Sequence, residues 1–259
     1  MIFLFRSGRW FSDSGRPSRN FVLGGRSWAF RWHRSLVRAI RWPVVASISD
    51  KVGRFFDQRA RTFHRIYEKT PFVERTFNRL MRRAIYARTQ VLVDEVQRLP
   101  SPTLLDVGSG TGVNTFAALE AGASRAVGVD LAKTMVEMAR QGASEHGIAD
   151  KCQFDEGDFM TAGEEQRFDV VAALGVFDYV RDAEVFFRKM CRVANRTVVA
   201  SFPGRGFRGQ IRRVRYERQG CPLFLFDEEE VKSWAQAEGF KDISYPFRGS
   251  SGFVLAARR

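Results

Sequence analysis

The chain is short of the residues that build metal centres and covalent cross-links. Its 259 residues include three cysteines (Cys152, Cys191, Cys221) and three histidines (His33, His64, His146), all scattered. No Cys-x-x-Cys pair or other zinc-ligand spacing occurs, so neither a zinc site nor a disulfide framework organises the fold, and the pattern suits a reducing compartment. A chain of this length can bury a core without either. Long apolar runs are also missing. No segment approaches the ~20 residues of a membrane span, and the apolar residues 1–5 are too few for a signal-peptide core. No internal repeat is present. Acidic residues are scarce, 29 against 42 basic ones, for a net charge of +13.

That charge is uneven. Residues 1–50 hold nine arginines against Asp13 and Asp50, and four of the five tryptophans (Trp10, Trp28, Trp32, Trp42). A segment rich in Arg and Ser and poor in acids has the composition of a transit peptide. Three readings stay open: a cleaved or disordered leader, a basic-aromatic anchor on a membrane surface, or sequence foreign to the natural protein. The expectation is a poorly ordered, dispensable leader over 1–48 that contributes no sheet element. One amphipathic helix within 27–45 fits Trp28, Trp32, Leu36 and Ile40, with Pro43 as its stop.

What is abundant is alternation. Residues 49–99 predict two helices, the first with Phe55, Phe56, Phe63 and Tyr67, the second from about Pro71 to Leu99. Strands are then predicted at 103–107, 125–130, 151–156, 168–173 and 196–202, with helices near 112–121, 133–146 and 182–193. Such alternation predicts a parallel sheet with helices on both faces. The order changes after Pro203. An arginine-rich stretch leads to a helix over about 227–238, stopped at Gly239, and to two strands near 241–247 and 252–258.

The densest signal is Leu104-Leu105-Asp106-Val107-Gly108-Ser109-Gly110-Thr111-Gly112. An apolar strand with a carboxylate runs into three alternate glycines and then a helix. Such a turn lets a ligand lie against bare backbone, facing the free N–H groups of the helix start. A dinucleotide fingerprint wants Gly or Ala at 113, where Val113 stands. A second strand ends in Asp130, roughly 20 residues on, the place of a ribose-binding acid. Gly157-Asp158-Phe159 and Phe168-Asp169-Val170-Val171 follow in order.

This ordered set resembles the cofactor-binding half of the class I S-adenosylmethionine-dependent methyltransferases, well over about 100–200 and loosely to 259. The resemblance implies an α/β, Rossmann-like, doubly wound seven-stranded sheet, mostly parallel, closed by a C-terminal antiparallel hairpin and preceded by N-terminal helices. It divides 49–259 into a helical lid (49–99), a cofactor-binding core (100–202), a substrate-side insertion (203–226) and a C-terminal helix and hairpin (227–259). S-Adenosyl-L-methionine is the implied cofactor. Gly108, Gly110 and Gly112 would pass under its methionine and ribose. Asp106 would bind its ammonium, directly or through water, or else only brace the turn. Asp130 would accept both ribose hydroxyls, with helix capping as the plainer role, and Leu131 would flank the adenine. Asp158 would accept the adenine amino group, unless it is a simple turn residue. Phe159 would offer its backbone N–H or its ring. Leu174 opens the loop after the fourth strand, and Tyr67 belongs to an aromatic lid. Ala132 departs from the small polar residue usual in the family, so a helix cap is missing there.

No residue stands out as a general base, and no metal is implied. The acceptor is less legible. Residues 205–218 hold six arginines against Glu217, which favours a small anionic molecule, a lipid headgroup or an anionic membrane surface; a solvated helix is the plainer alternative. The region is loosely similar to magnesium-protoporphyrin methyltransferases, without implying that substrate. The expected function is methyl transfer to a small-molecule acceptor, on oxygen. The rival readings are an RNA or tRNA methyltransferase and a non-catalytic cofactor-binding interaction protein. Nucleic acid ranks below a small molecule, since neither an appended RNA-binding module nor an Asn-Pro-Pro-Tyr-type motif occurs. A cytoplasmic location is expected, with membrane association or organellar import through the leader left open.

Overall fold

The computed structural model describes residues 4–6, 9–11, 53, 75–218 and 223–259, with side chains from residue 85 onward. The chain divides into two compact units, Met1–Ala39 and Ile40–Arg259. In the first, β1 (Leu4–Arg6) pairs antiparallel with β2 (Arg9–Phe11), Leu4 opposite Phe11. This corrects the expectation that the leader forms no sheet element. Aromatic residues favour extended backbone, and Phe5 stands opposite Trp10 across the pair. The helix expected within 27–45, the helix carrying Phe55, Phe56, Phe63 and Tyr67, and Cys221 lie outside the described residues.

The second unit starts, among the longer described elements, with α1 (Arg75–Gln97). It continues through β3 (Thr103–Val107), α2 (Val113–Glu120), β4 (Arg125–Asp130), α3 (Lys133–Glu145), β5 (Cys152–Glu156) and β6 (Phe168–Ala173). Then come α4 (Ala183–Val193), β7 (Ala194–Pro203), α5 (Phe207–Glu217), α6 (Glu228–Ala237), β8 (Asp242–Gly249) and β9 (Gly252–Arg258). The seven strands order as β5-β4-β3-β6-β7-β9-β8. Pairings from β5 to β7 are parallel; β9 runs antiparallel to both β7 and β8. The predicted sheet and its closing hairpin are therefore present. Elements differ from expectation by a residue or two at their ends, except α1, whose described span begins at Arg75, four residues after Pro71.

Strand periodicity explains the two faces. Leu105, Val107, Val127, Val129, Val171, Val198 and Ala200 join one core with Phe186, Phe187 and Met190 of α4 and Val231, Trp234 and Ala235 of α6. Leu104, Ala126, Val170, Ala172 and Val199 face the other way, onto Val91, Leu92 and Val96 of α1 and Ala118 of α2. α3 covers β5 on its own cluster, where Val136, Ala139 and Phe154 meet. α6 stops as expected: Gly239 takes φ +84°, and the Phe240 N–H reaches back to the Ala235 carbonyl at 3.1 Å. Phe177, one of the two aromatic residues after β6, is core: its ring is fully buried against Phe186 and Phe202.

One ion pair closes the sheet onto α1. The Arg258 guanidinium donates to both oxygens of Glu95, at 2.7 and 2.6 Å, and to Asp242 at 2.8 Å. Glu95 is buried, and its other cation, the mostly exposed Arg98 at 3.4 Å, makes a weaker contact, so losing Arg258 leaves the charge poorly compensated. Arg258→Met should lower stability by about 3–5 kcal/mol in urea unfolding, and adding Glu95→Met should recover most of that. Equal loss in the single and double variants would show that packing rather than stranded charge sets the cost.

Candidate functional site

The strand order reverses at β3 and β6: successive crossovers run outward from β3 toward β5, and from β6 toward β7. Ligands of open α/β sheets bind at such a switch point, beyond the carboxyl ends of the strands. The expected site residues collect there. The glycine loop follows β3, Asp130 ends β4, Asp158 follows β5 and Leu174 follows β6.

The three loop glycines all have positive φ: +70°, +53° and +84° at Gly108, Gly110 and Gly112. Their surroundings differ. A Cβ on Gly108 would strike Val176 at 2.3 Å, and one on Gly112 would strike the rings of Phe116 and Phe154. Those two glycines serve the protein's own packing. A Cβ on Gly110 would meet nothing within 4 Å, so Gly110 is where the loop leaves open space for a ligand.

Asp130 holds this loop in shape. Its Oδ2 accepts from the Gly110 N–H at 2.8 Å, and its Oδ1 from the Ala132 N–H at 2.9 Å. The second bond serves the start of α3, where Ala132 has no side chain to cap with. It is a turn contact two residues on, to the residue that precedes α3; the helix itself has no side-chain cap hydrogen bond.

Asp106 lies beneath the loop, fully buried on the α1–α2 face. Thr115, in the first turn of α2, donates its hydroxyl to Oδ2 at 2.7 Å. Oδ1 has no hydrogen-bond partner, and neither does the buried Ser109 hydroxyl. Burial chiefly, with the nearby charge of Asp130, pushes the Asp106 carboxyl up to about 7, against the Thr115 hydrogen bond. Two orphaned polar atoms beside an open glycine are what a polar ligand would satisfy.

The end of the site beyond β5 is built differently. The Asp158 carboxylate accepts from the Met160 N–H at 2.8 Å and starts a short 3₁₀ turn, Phe159–Thr161. The Phe159 ring is buried on Phe186, with the Lys189 ammonium 5.1 Å from its centre. The ring is thus occupied by the core, and the backbone is the part of Phe159 left to meet a base. Lys189 of α4, itself buried, donates to the carbonyls of Met160 and Ala162 at 3.1 and 2.5 Å and so pins the turn. Leu131 is half-buried, with the backbone of Gly53 against it. Leu174 is half-buried against the α1-side core. Tyr67 and His64 fall outside the described residues.

Several contributors went unread in the sequence. Thr115 and Ser109 are small polar residues in a loop where such residues are common; the signal for Thr115 was its place one turn into α2, facing back to β3. Arg88 of α1 sends its guanidinium to within 4.0 Å of where a Gly175 Cβ would stand. Arg212 pairs with the buried Asp178 at 2.8 Å and lies over the Tyr216 ring. Burial works against the Arg212 charge, but Asp178, Tyr179 and Tyr216 outweigh it and hold its pKa above the ordinary value.

The arginine-rich segment needs a correction. Its six arginines are not six free charges. Arg205 meets Asp227 and Glu230, Arg212 meets Asp178, Arg213 meets Glu217 and Arg208 donates to Ser250. Asp178, Asp227 and Glu230 lie outside the segment, so a local charge count could not find them. Among the described residues no cluster of three or more His, Cys, Asp or Glu converges as metal ligands would.

Residues 100–203 match the family described as a methyltransferase domain. That match runs from just before β3 to the end of β7, the part of the sheet that carries the glycine loop and the strand-end carboxylates. Over 74 residues it is 42% identical to a mitochondrial ribosomal RNA small subunit methyltransferase of Arabidopsis thaliana, covering 29% of this chain and 19% of that protein. Aligned segments therefore span only about a fifth of such relatives' own length. The fold is similar to the crystal structure of magnesium protoporphyrin IX methyltransferase from Synechocystis PCC 6803 with bound S-adenosylmethionine. That likeness has a TM-score of 0.65 and 20% identity, covering 84% of this chain and 99% of that one. It is also similar to the [4+2]-cyclase SpnF, with a TM-score of 0.61 and 17% identity, covering 84% and 98%. One fold thus serves different chemistries.

A group whose folded pKa is raised, as at Asp106, lends stability that is full below its unfolded value of about 3.8 and lost as pH rises through about 7. Asp106→Asn mimics the protonated form. It should flatten the stability profile between these limits and leave the ligand-free variant more stable than wild type at alkaline pH, by about 2–4 kcal/mol. Urea unfolding across pH checks this; an unchanged slope in the variant would assign the titration elsewhere.

Proposed function

We propose that this chain binds S-adenosylmethionine at the β3–β6 switch point and transfers its methyl group to a small anionic acceptor, on oxygen. The open side of Gly110, flanked by Asp130 and the orphaned Oδ1 of Asp106, carries this reading. A buried carboxylate with one unpartnered oxygen fits an ammonium, and a carboxylate ending the second strand beside the loop fits paired ribose hydroxyls. The Ser109 hydroxyl supplies a further donor beneath the loop. The turn at Asp158 and Phe159 offers an acceptor and an N–H to the edge of a purine.

When bound, the cofactor supplies a methyl group already activated on a sulfonium. What remains for the protein is positioning and exclusion of water. The loop after β6, residues 174–179, lies beside the glycine loop through the Val176–Gly108 contact. Two arginines reach it, Arg88 near Gly175 and Arg212 at Asp178. This reading takes an acceptor that is already ionised, such as a carboxylate or phenolate. Such an oxygen needs no general base, which agrees with the lack of an evident one.

Calorimetric titration should detect S-adenosylmethionine binding. Asp130→Ala should weaken it by about 1.5–3 kcal/mol. Because an ammonium favours ionised Asp106, affinity should climb as pH rises through about 7 and then level off, with proton release on binding below that point. Asp106→Asn should abolish the climb. A flat profile in wild type would remove Asp106 from the ammonium site. Screening for a methyl mass shift across carboxylates, phenols and tRNA tests the acceptor. Modified tRNA alone would replace this reading with RNA methylation; binding with no turnover would leave a cofactor-binding protein.

A further inference from the structure

The outer face of α5 has no role in the cofactor site. Phe207, Ile211 and Val214 are 81%, 54% and 45% exposed. Their spacing, four then three residues, puts them on one ridge of the helix. Arg218 continues that ridge, and Arg215 and Arg208 lie along one edge. The guanidinium groups of Arg215 and Arg218 have no partner among the described residues. The opposite face is anchored. Gly209 is buried so tightly that a Cβ there would stand 2.0 Å from the Gly204 carbonyl. Arg212 is paired with Asp178, and Tyr216 leans on Tyr179. The helix is held from within while it displays apolar side chains outward.

We propose that this face of α5 docks on an anionic lipid surface. Large apolar side chains rimmed by arginine are the composition of a helix lying in a membrane interface, where apolar groups enter the acyl boundary and cations meet headgroup phosphates. The charge complementarity selects this occupant over others. A second copy of the face would bring like charges together, and a nucleic acid would leave the Phe207–Ile211–Val214 ridge unused. The contact is peripheral: among the described residues no helix is long and apolar enough to cross a bilayer. The helix is already folded against the domain, so binding costs little ordering.

The test is co-sedimentation of the full chain with vesicles of phosphatidylcholine alone, and of an equimolar mixture with phosphatidylglycerol. The chain should bind the mixed vesicles at least about tenfold more tightly, and more so at low salt. Arg215→Ser with Arg218→Ser should cost about fivefold per arginine on the mixed vesicles. Phe207→Ser, Ile211→Ser and Val214→Ser together should remove at least about tenfold on the same vesicles, and Phe207→Gln alone should remove a measurable part. Each variant should keep its thermal midpoint and S-adenosylmethionine affinity, since none of these side chains lies at the cofactor site. Vesicle binding equal to wild type in both the arginine and the apolar variants would overturn the proposal. So would no binding by wild type, or a dimer or RNA complex that the apolar variant abolishes.

Discussion

Everything at the carboxyl edge of the sheet depends on the hydrogen bond from the Gly110 N–H to Asp130. The glycine loop belongs to β3 and the carboxylate to β4. Joining them fixes a backbone of three positive-φ residues against a rigid neighbouring strand. The other oxygen of the same carboxylate secures the start of α3 through Ala132. One side chain thereby sets the loop, the helix that follows β4 and the open space between them. Asp106 works from below: its strand gives the loop its direction, and Thr115 ties it to α2. The site is pre-organised by bonds that also hold the fold.

Much of this was legible in the sequence because it is local. Strand, carboxylate and alternate glycines occupy nine consecutive positions, and the chain alternates strand and helix at regular intervals. The parallel sheet and the positions of Asp106, Asp130 and Asp158 followed from that, while the closing hairpin was implied by the family resemblance. What was not legible is what depends on pairing across distance. Much of the spare charge counted over residues 205–218 is offset once Asp178, Asp227 and Glu230 are brought alongside, which leaves Arg215 and Arg218 on the outer face. The three glycines read alike in sequence, yet only Gly110 faces open space; Val176 and Phe154 claim the other two, and nothing in the loop itself announces them. Lys189 looks like any helix lysine until the fold buries it under the Asp158 turn.

The chemistry rests on a division of labour between the sheet and its attachments. β3 to β6 present backbone and carboxylates, positions that tolerate little change because each also serves packing or a turn. Arg88, Arg212 and the outer face of α5 come from helices laid over that frame. They lie outside the glycine loop and its carboxylates, and a similar frame occurs in a porphyrin methyltransferase and in a cyclase.

The wedge of Val176 under Gly108 has a consequence of its own. The loops after β3 and β6 touch there with no slack, since even a methyl group on Gly108 would overlap the valine. A displacement of the acceptor-side loop must then be felt by the glycine loop, and the reverse must hold to the same degree. On the function proposed above, one loop meets the cofactor and the other the acceptor, and a shift on either side of this contact then alters the free energy of filling the other.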